Sequence, residues 1–430
     1  MKIVIIGAAS ASFGTGNLGS IMECKQLQGA EVALVDIHEE RLGIMAKLAD
    51  RYNAEDGRGM KLSATADRGH VLAGADFVVV SIAVEREDRW RFDFGVPREL
   101  GITQPYAEDG GPGGTAHALR NIATVMGIAR DMERMCPDAW LLNYTNPVPR
   151  VTCAVYRHSA IKVVGLCPGI YMLEEQVAKF LDIPVGRVEI VGAGLNHFVW
   201  ALDIRDSATG ADLYPAFKDK VAAADPSWNP LSRALMDRVG YWPYPNDDHI
   251  AEFLNLVHHP LRKPWERWGL HETDYDGRKA WRERLFTRLR EIADGKHPVT
   301  AIGRSAEPEM TTPMVRGLGL GEAMYMPAVN IPNTGYLTNL QPDGIVEVPA
   351  MVNGYGVHGV VVGDLPDSGA GWCNLHLSIQ TLTADAGATG SREKALQAFM
   401  LDPMVNDLSL AEEVMDGLFK AHKGFLPQFE

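Results

Sequence analysis

Met1-Lys2-Ile3-Val4-Ile5-Ile6-Gly7-Ala8-Ala9-Ser10-Ala11-Ser12-Phe13-Gly14 opens the chain, and how it is read decides the fold. A continuous β-branched run suits a strand buried on both faces, as in a parallel sheet. Small residues then form a turn, and a helix with Leu18 and Met22 on one face follows. Glu31-Val32-Ala33-Leu34-Val35-Asp36-Ile37 reads as a second strand with an acid at its C-terminal end. Strand, small-residue turn, helix, strand, acid is the order of a dinucleotide-binding unit. In such a unit, N–H groups at the helix start hold pyrophosphate and the acid accepts hydrogen bonds from ribose hydroxyls.

Gly7, Ala9, Ser10, Ser12, Phe13 and Asp36 are therefore the candidate cofactor residues. Asp36 would repel a 2′-phosphate, which favours NAD over NADP. The glycine spacing is irregular, since Ala9 stands where the second glycine belongs. The context compensates, because 77–82 and 139–144 read as third and fourth strands, with a helix at 117–135 before the latter. Ile82 and Asn143, at the ends of those strands, complete the cofactor set. Alternation of strand and helix predicts an α/β fold with a doubly wound parallel sheet over 1–165. From 166 to 430 the alternation fades, and an α+β part carrying substrate and metal is expected, sharing one cleft with the first.

The 430 residues carry a formal charge of −14, which argues against nucleic acid or an anionic membrane as a partner. Five scattered cysteines without CxxC pairs suit a reducing, cytoplasmic setting, and no apolar run reaches membrane-spanning length.

Val164-Gly165-Leu166-Cys167-Pro168-Gly169 and Val191-Gly192-Ala193-Gly194-Leu195-Asn196-His197-Phe198 are two apolar runs ending in turn residues. Each delivers one side chain, Cys167 or His197, to a strand end. A thiolate and an imidazole both ligate divalent transition metals, and two protein ligands leave a site open to substrate oxygens. Taken singly, either residue reads equally as ordinary core. Asn143-Tyr144-Thr145-Asn146-Pro147 ends the fourth strand at the carboxyl edge, where open α/β sheets bind ligands. The charge run Arg86-Glu87-Asp88-Arg89-Trp90-Arg91 reads as a solvated face. The segment 106–114, with Glu108, Asp109 and four glycines, reads as a loop too glycine-rich for helix, with carboxylates that could approach a bound sugar or metal. The segment 240–249 combines aromatics, two aspartates and a histidine; it reads as a loop feeding an Asp-capped helix, and suits a saccharide site as well as a polar, solvated loop. The charged stretch 262–297 reads as a helical surface excursion.

These motifs together resemble glycoside hydrolase family 4. They comprise 7–13, Asp36, Gly111-Pro112-Gly113-Gly114, 143–147, Gly165-Leu166-Cys167, Gly194-Leu195-Asn196-His197, Asn330-Ile331-Pro332-Asn333 and Val346-Glu347-Val348-Pro349, in order from end to end. That resemblance implies a lactate/malate dehydrogenase-like N-terminal half and an NAD-dependent exception to two-carboxylate glycosidases. It implies transient oxidation of sugar C3 by NAD⁺ and removal of the acidified C2 proton by a base. A divalent metal, usually Mn²⁺, held by Cys167 and His197 would stabilise the enediolate; C1–O cleavage, water addition and hydride return follow. By the same analogy the base lies in 241–248, as Asp248 or Tyr241, and Asn146 and Asn196 hold sugar hydroxyls. Phosphosugar members often carry Asp or Asn after the metal-binding cysteine, where this chain has Pro168, so the general acid falls to Glu108, Asp109 or a metal-bound water. The 108–114 loop looks like the branch for unphosphorylated α-galactosides, α-glucosides or uronides. Arg89 or Arg91 could read a uronate carboxylate through paired N–H donors. A homodimer or homotetramer is expected. The alternatives are a hydroxyacid dehydrogenase of the lactate/malate type and a nucleotide-binding sensor without catalysis.

Overall fold

The structure is a computed structural model that describes residues 1–11, 13–258, 264–302 and 310–430. Six strands form its parallel half: β1 (Lys2–Ile6), β2 (Glu31–Val35), β3 (Lys61–Thr65), β4 (Phe77–Val80), β5 (Trp140–Asn143) and β6 (Lys162–Gly165). Six more follow: β7 (Val188–Leu195), β8 (Phe198–Asp206), β9 (Trp242–Tyr244), β10 (Met324–Pro332), β11 (Ile345–Asn353) and β12 (Gly356–Gly359). They join one sheet of order β3-β2-β1-β4-β5-β6-β10-β11-β7-β8-β9, with β12 alongside β11. The first six are parallel, and every later pairing is antiparallel.

The parallel half is wound on both faces, as the β-branched runs require. Ile3, Ile5 and Val79 pack against α1 (Gly14–Glu23) and α2 (Glu39–Asp56) through Leu18, Ile21 and Leu48. Val4, Ile6, Val78 and Val80 face the other way. They meet Ile122, Val125 and Ala129 of α4 (Gly111–Met135) and Val151 and Val155 of α5 (Val148–His158). Between β4 and α4 lies α3 (Arg86–Glu99), and α6 (Gly169–Leu181) follows β6. Burying each such Val or Ile contributes about 1.5–3 kcal/mol, so the alternating faces suffice to fix the winding. The halves meet at Gly165, paired with Asn330. A Cβ there would stand 2.6 Å from Val148 and 2.8 Å from Asn330 Cβ, so only glycine lets β6 and β10 close up. Among the described residues no helix is long and apolar enough to cross a membrane.

Four expectations change. β3 was not read from the sequence, because its side chains are mostly exposed and make no apolar run. The glycine-rich stretch is not all loop: Gly111 to Gly114 form the first turn of α4, where Pro112 is tolerated because a first-turn N–H has no helical partner. Residues 242–244 are a strand on β8, since Trp242 and Tyr244 are buried, and the helix Asp247–Ala251 is capped by Asn246 rather than Asp. The charge run is a solvated face only in part: it forms the first half of α3, where Asp88 and Arg91 are exposed while Trp90 is buried and Arg86 turns inward to Glu108.

Beneath the α3–α4 packing, Asp93 receives both arms of Arg120, at 2.8 and 2.6 Å, and also meets His422 at 2.8 Å. All three side chains are fully buried. Burial raises the Asp93 carboxyl, but Arg120 and His422 outweigh it and hold it at about 2, below the ordinary 3.8. The pair therefore contributes stability above about pH 4 that is lost as pH falls toward 2. Asp93→Asn should lower the unfolding free energy by about 3–5 kcal/mol in urea titrations at neutral pH, because Arg120 is left buried without its counter-charge. The difference from wild type should shrink as the pH falls toward 2.

Candidate active site

Four segments converge at the C-terminal ends of β5 and β6. The hairpin between β7 and β8 is closed by the Leu195–Phe198 pair, which leaves Asn196 and His197 as a two-residue turn. His197 takes a left-handed backbone, φ 64°, unusual for a residue with a Cβ. The loop before α4 brings Glu108 and Asp109, preceded by Ala107 at φ 50°. Their N–H groups donate to the Glu252 carboxylate at 2.8 and 3.3 Å, so one buried acid fixes the loop. A Cβ on Gly110 would sit 2.1 Å from the Glu252 carbonyl oxygen, so the position admits glycine alone. Cys167 follows β6, and the helix Asp247–Ala251 supplies Asp248 and His249.

Cys167 Sγ lies 3.5 Å from His197 Nε2, and His197 Nδ1 lies 2.5 Å from Asp109 Oδ2. The His249 ring stacks 4.1 Å from His197 and 4.2 Å from Tyr106. Glu108 accepts from Arg86 and, at 2.9 Å, from Asn146 Nδ2. Burial would raise both acids, but Arg86 beside Glu108 and the two imidazoles beside Asp109 outweigh it and hold both low. Burial would likewise lower His197, but Asp109 and the Cys167 sulfur raise it well above its usual value. An ionised Asp109 only accepts, so Nδ1 carries the proton and Nε2 is the nitrogen turned to the sulfur. Glu252 is pushed up to about 7 by burial.

The structure thus brings together Cys167, His197, Glu108, Asp109 and Asn146. Asn196 lies next to them in the turn. Its Nδ2 donates to Glu347 at 2.8 Å, Asn330 donates to the same oxygen at 3.0 Å, and the Oδ1 atoms of both asparagines are buried without partners. Asp248 is half-buried beside His249 and Arg278, and burial raises its carboxyl despite the nearby cations His271, His249 and Arg278. Tyr241 instead packs edge-on to Tyr214, 6.2 Å away.

Several expected site residues have other partners in this structure. Asn143 directs its amide into its own turn, donating to the carbonyls of Thr145 and Val148 and to Thr152 Oγ1 and accepting from Thr145 N. Arg89 turns to the Ala421 carbonyl and the rings of Phe92 and Phe425, and Arg86, three residues earlier, is the guanidinium that reaches the site. Arg91 pairs with Asp276 at the surface. Glu108 and Asp109 both act as acceptors here, Glu108 from Arg86 and Asn146 and Asp109 from His197, and those partners hold both carboxyls low. Sequence reasoning also missed Arg86, His249 and Glu252. The only signal for His249 was its place beside two aspartates at a helix start.

A model of family 4 glycosyl hydrolases matches residues 2–183, and one of the family's C-terminal domain matches residues 192–405. The chain belongs to glycoside hydrolase family 4. This family 4 glycosidase is similar to an α-glucosidase of Erwinia rhapontici, at 31% identity over 454 aligned positions covering 99% of this chain and 98% of that one. An α-galactosidase of Bacillus subtilis is 30% identical over 458 positions, covering 100% of both. In fold it superposes, with TM-score 0.84 and 23% identity, on a 6-phospho-α-glucosidase from gut microorganisms solved with NAD and Mn²⁺, covering 100% of this chain and 99% of that one. The family resemblance read from the sequence and the α/β fold are borne out, and the dehydrogenase and sensor readings give way to a glycosidase.

The family 4 site fits a divalent cation. Glu108, Asp109, His197 and His249 offer ligand atoms within 4.8 Å of one another, and the buried His249 Nδ1 makes no hydrogen bond, with Asp109 and Glu252 carboxylate oxygens 3.6 and 3.7 Å away. His197 Nδ1 is already spent on Asp109, so the cation-facing pair is His197 Nε2 with Cys167 Sγ. A carboxylate behind a ligating imidazole is how such rings are oriented. The N-terminal turn fits a nucleotide: Gly7, at φ 83°, would place a Cβ 2.1 Å from the Ser81 carbonyl oxygen, and Ile82 lies alongside. Asp36 accepts from Ala9 N and His38 N, each at 2.9 Å, and each oxygen keeps a second lone pair, next to an Ile37 side chain that is 79% exposed. Ser10 and Phe13 close the turn, and Ser12 lies outside the described residues. Cys167→Ser and His197→Ala should each weaken Mn²⁺ binding, read by electron paramagnetic resonance, by roughly a hundredfold or more. Removing a group that merely orients a ligand already costs about 10- to 100-fold.

Proposed function

We propose that this family 4 glycosidase depends on NAD and a divalent cation such as Mn²⁺. It cleaves unphosphorylated α-glycosides or uronides by oxidation at C3, elimination across C2–C1, water addition and re-reduction. The observation that carries this reading is the 3.5 Å approach of Cys167 Sγ to His197 Nε2 beside a buried carboxylate cluster. When bound, NAD⁺ would supply a reversible hydride acceptor for C3, and the cation a Lewis acid for the C2 and C3 oxygens.

The chain's own residues do the rest. Asp248, with its carboxyl raised by burial, is a stronger base than an exposed aspartate and takes the C2 proton made acidic by the C3 ketone. Tyr241, packed on Tyr214, is the less favoured base. The free carbonyl oxygens of Asn196 and Asn330 accept from sugar hydroxyls. Asn146 holds Glu108, and Asp109 fixes the His197 ring. Arg86 is neutralised by Glu108, which favours uncharged positions on the sugar there over a phosphate. The expected setting is the cytoplasm, and the expected assembly a homodimer or homotetramer.

A panel of aryl α- and β-glycosides, uronides and 6-phosphates tests the reading. With NAD⁺ and Mn²⁺, phenol should appear from unphosphorylated substrates with no net NADH, and C2-deuteration should slow the reaction. Accumulating NADH in step with turnover would overturn it. Asp248→Asn should lower kcat by about 10²- to 10⁴-fold with little change in fold, the range for a lost general base. A wild-type rate in that variant returns the role to Tyr241.

A further inference from the structure

Arg150, near the start of α5, is 4% exposed, yet its guanidinium makes one hydrogen bond, to Thr115 Oγ1 at 2.8 Å. Among the described residues no carboxylate lies within 4.0 Å of it. A buried cation so thinly paired calls for a reason. The carboxylates that act on it are Asp402, Asp109 and Glu252, the last two belonging to the acid cluster of the active site.

Arg150 and Asp109 line one cavity of about 10 Å³, with His376 and Gln380 of the helix Asp367–Thr389. That is room for one water molecule. Two polar atoms among these buried residues have no partner, Asp109 Oδ1 and His376 Nδ1. His376 Nε2 meets the Phe253 carbonyl at 3.0 Å and must donate to it. Burial keeps that ring neutral, so Nδ1 is a bare acceptor. Two acceptors and a guanidinium donor are what one water satisfies, giving two protons and taking one.

We propose that this cavity binds a single water molecule, which donates to Asp109 Oδ1 and His376 Nδ1 and accepts from Arg150. Arg150 is thereby a positioning residue for Asp109 and, through it, for His197. The water stands on the cavity alone, whereas the effect on His197 rests on the reading that His197 holds a divalent cation.

A high-resolution crystal structure of the whole protein should show one ordered water bonded to Asp109 Oδ1, His376 and Arg150. Arg150→Met should raise the Mn²⁺ dissociation constant, measured by electron paramagnetic resonance, by about 10- to 100-fold, the range for losing a group that orients a ligand. Arg150→Lys keeps the charge and should recover most of that loss, which a purely structural role would not produce. If Arg150→Met does not fold, His376→Leu removes one of the water's acceptors and should weaken Mn²⁺ in the same direction. An unfilled cavity in the density, or a folded Arg150→Met with wild-type Mn²⁺ affinity, overturns the inference while leaving the metal reading intact. A wild-type protein that binds no Mn²⁺ overturns the metal reading and the role of Arg150 with it.

Discussion

The 2.5 Å contact between His197 Nδ1 and Asp109 Oδ2 ties the two halves of the protein together at the site. One partner hangs from the β7–β8 turn and the other from the loop that enters α4. Each is held against its own preference: His197 is left-handed, and Asp109 is an acid with almost no solvent. The compensation is local. Glu252 takes the loop's N–H groups, and the imidazoles of His197 and His249 keep Asp109 ionised. Left-handed residues that are not glycine also immediately precede Arg86 and Glu108, at Glu85 and Ala107. Such backbone persists only where surrounding contacts over-determine it, and it gathers at functional sites.

Much of this was legible in the chain because apolar runs are strong signals. β1, β2 and β4 are short, continuous apolar runs rich in Val and Ile, β5 is a Trp-Leu-Leu run, and Cys167 and His197 sit where such runs stop. What escaped has physical reasons. β3 is an edge strand without an apolar face. The glycines of 110–114 are set by packing, with Gly113 pressed on the Asp93 carbonyl oxygen and Gly110 on Glu252, contacts between residues far apart in the chain. Composition alone made that stretch a loop. The run 86–91 contains the right residue, Arg86, but which of its arginines faces Glu108 depends on the phase of α3, which the run of charges does not reveal.

Charge burial is a recurrent economy here. Asp93 with Arg120, Glu108 with Arg86 and Asp109 with His197 all place opposite charges in contact out of water. Isolated, each ion would be expensive to bury; paired, each is close to balanced and gains orientation. Glu347 achieves the same with neutral partners, two asparagine amides, and its carboxyl stays raised. The pattern gives a rigid floor of fixed dipoles rather than a large apolar pocket, which suits a substrate made of hydroxyl groups.

The seam at Gly165 carries a further consequence. Enzymes that bury a cofactor between two lobes commonly open like a clam, which needs a boundary that few bonds cross. Here the sheet runs unbroken from β3 to β9, and β6 lies so close to β10 that no side chain fits at the joint. A hinge there would have to break the Gly165–Asn330 pairing and open a contact that admits no side chain. A side-chain pair such as Tyr106 and Arg278, bonded to each other beside His249, parts without disturbing that seam.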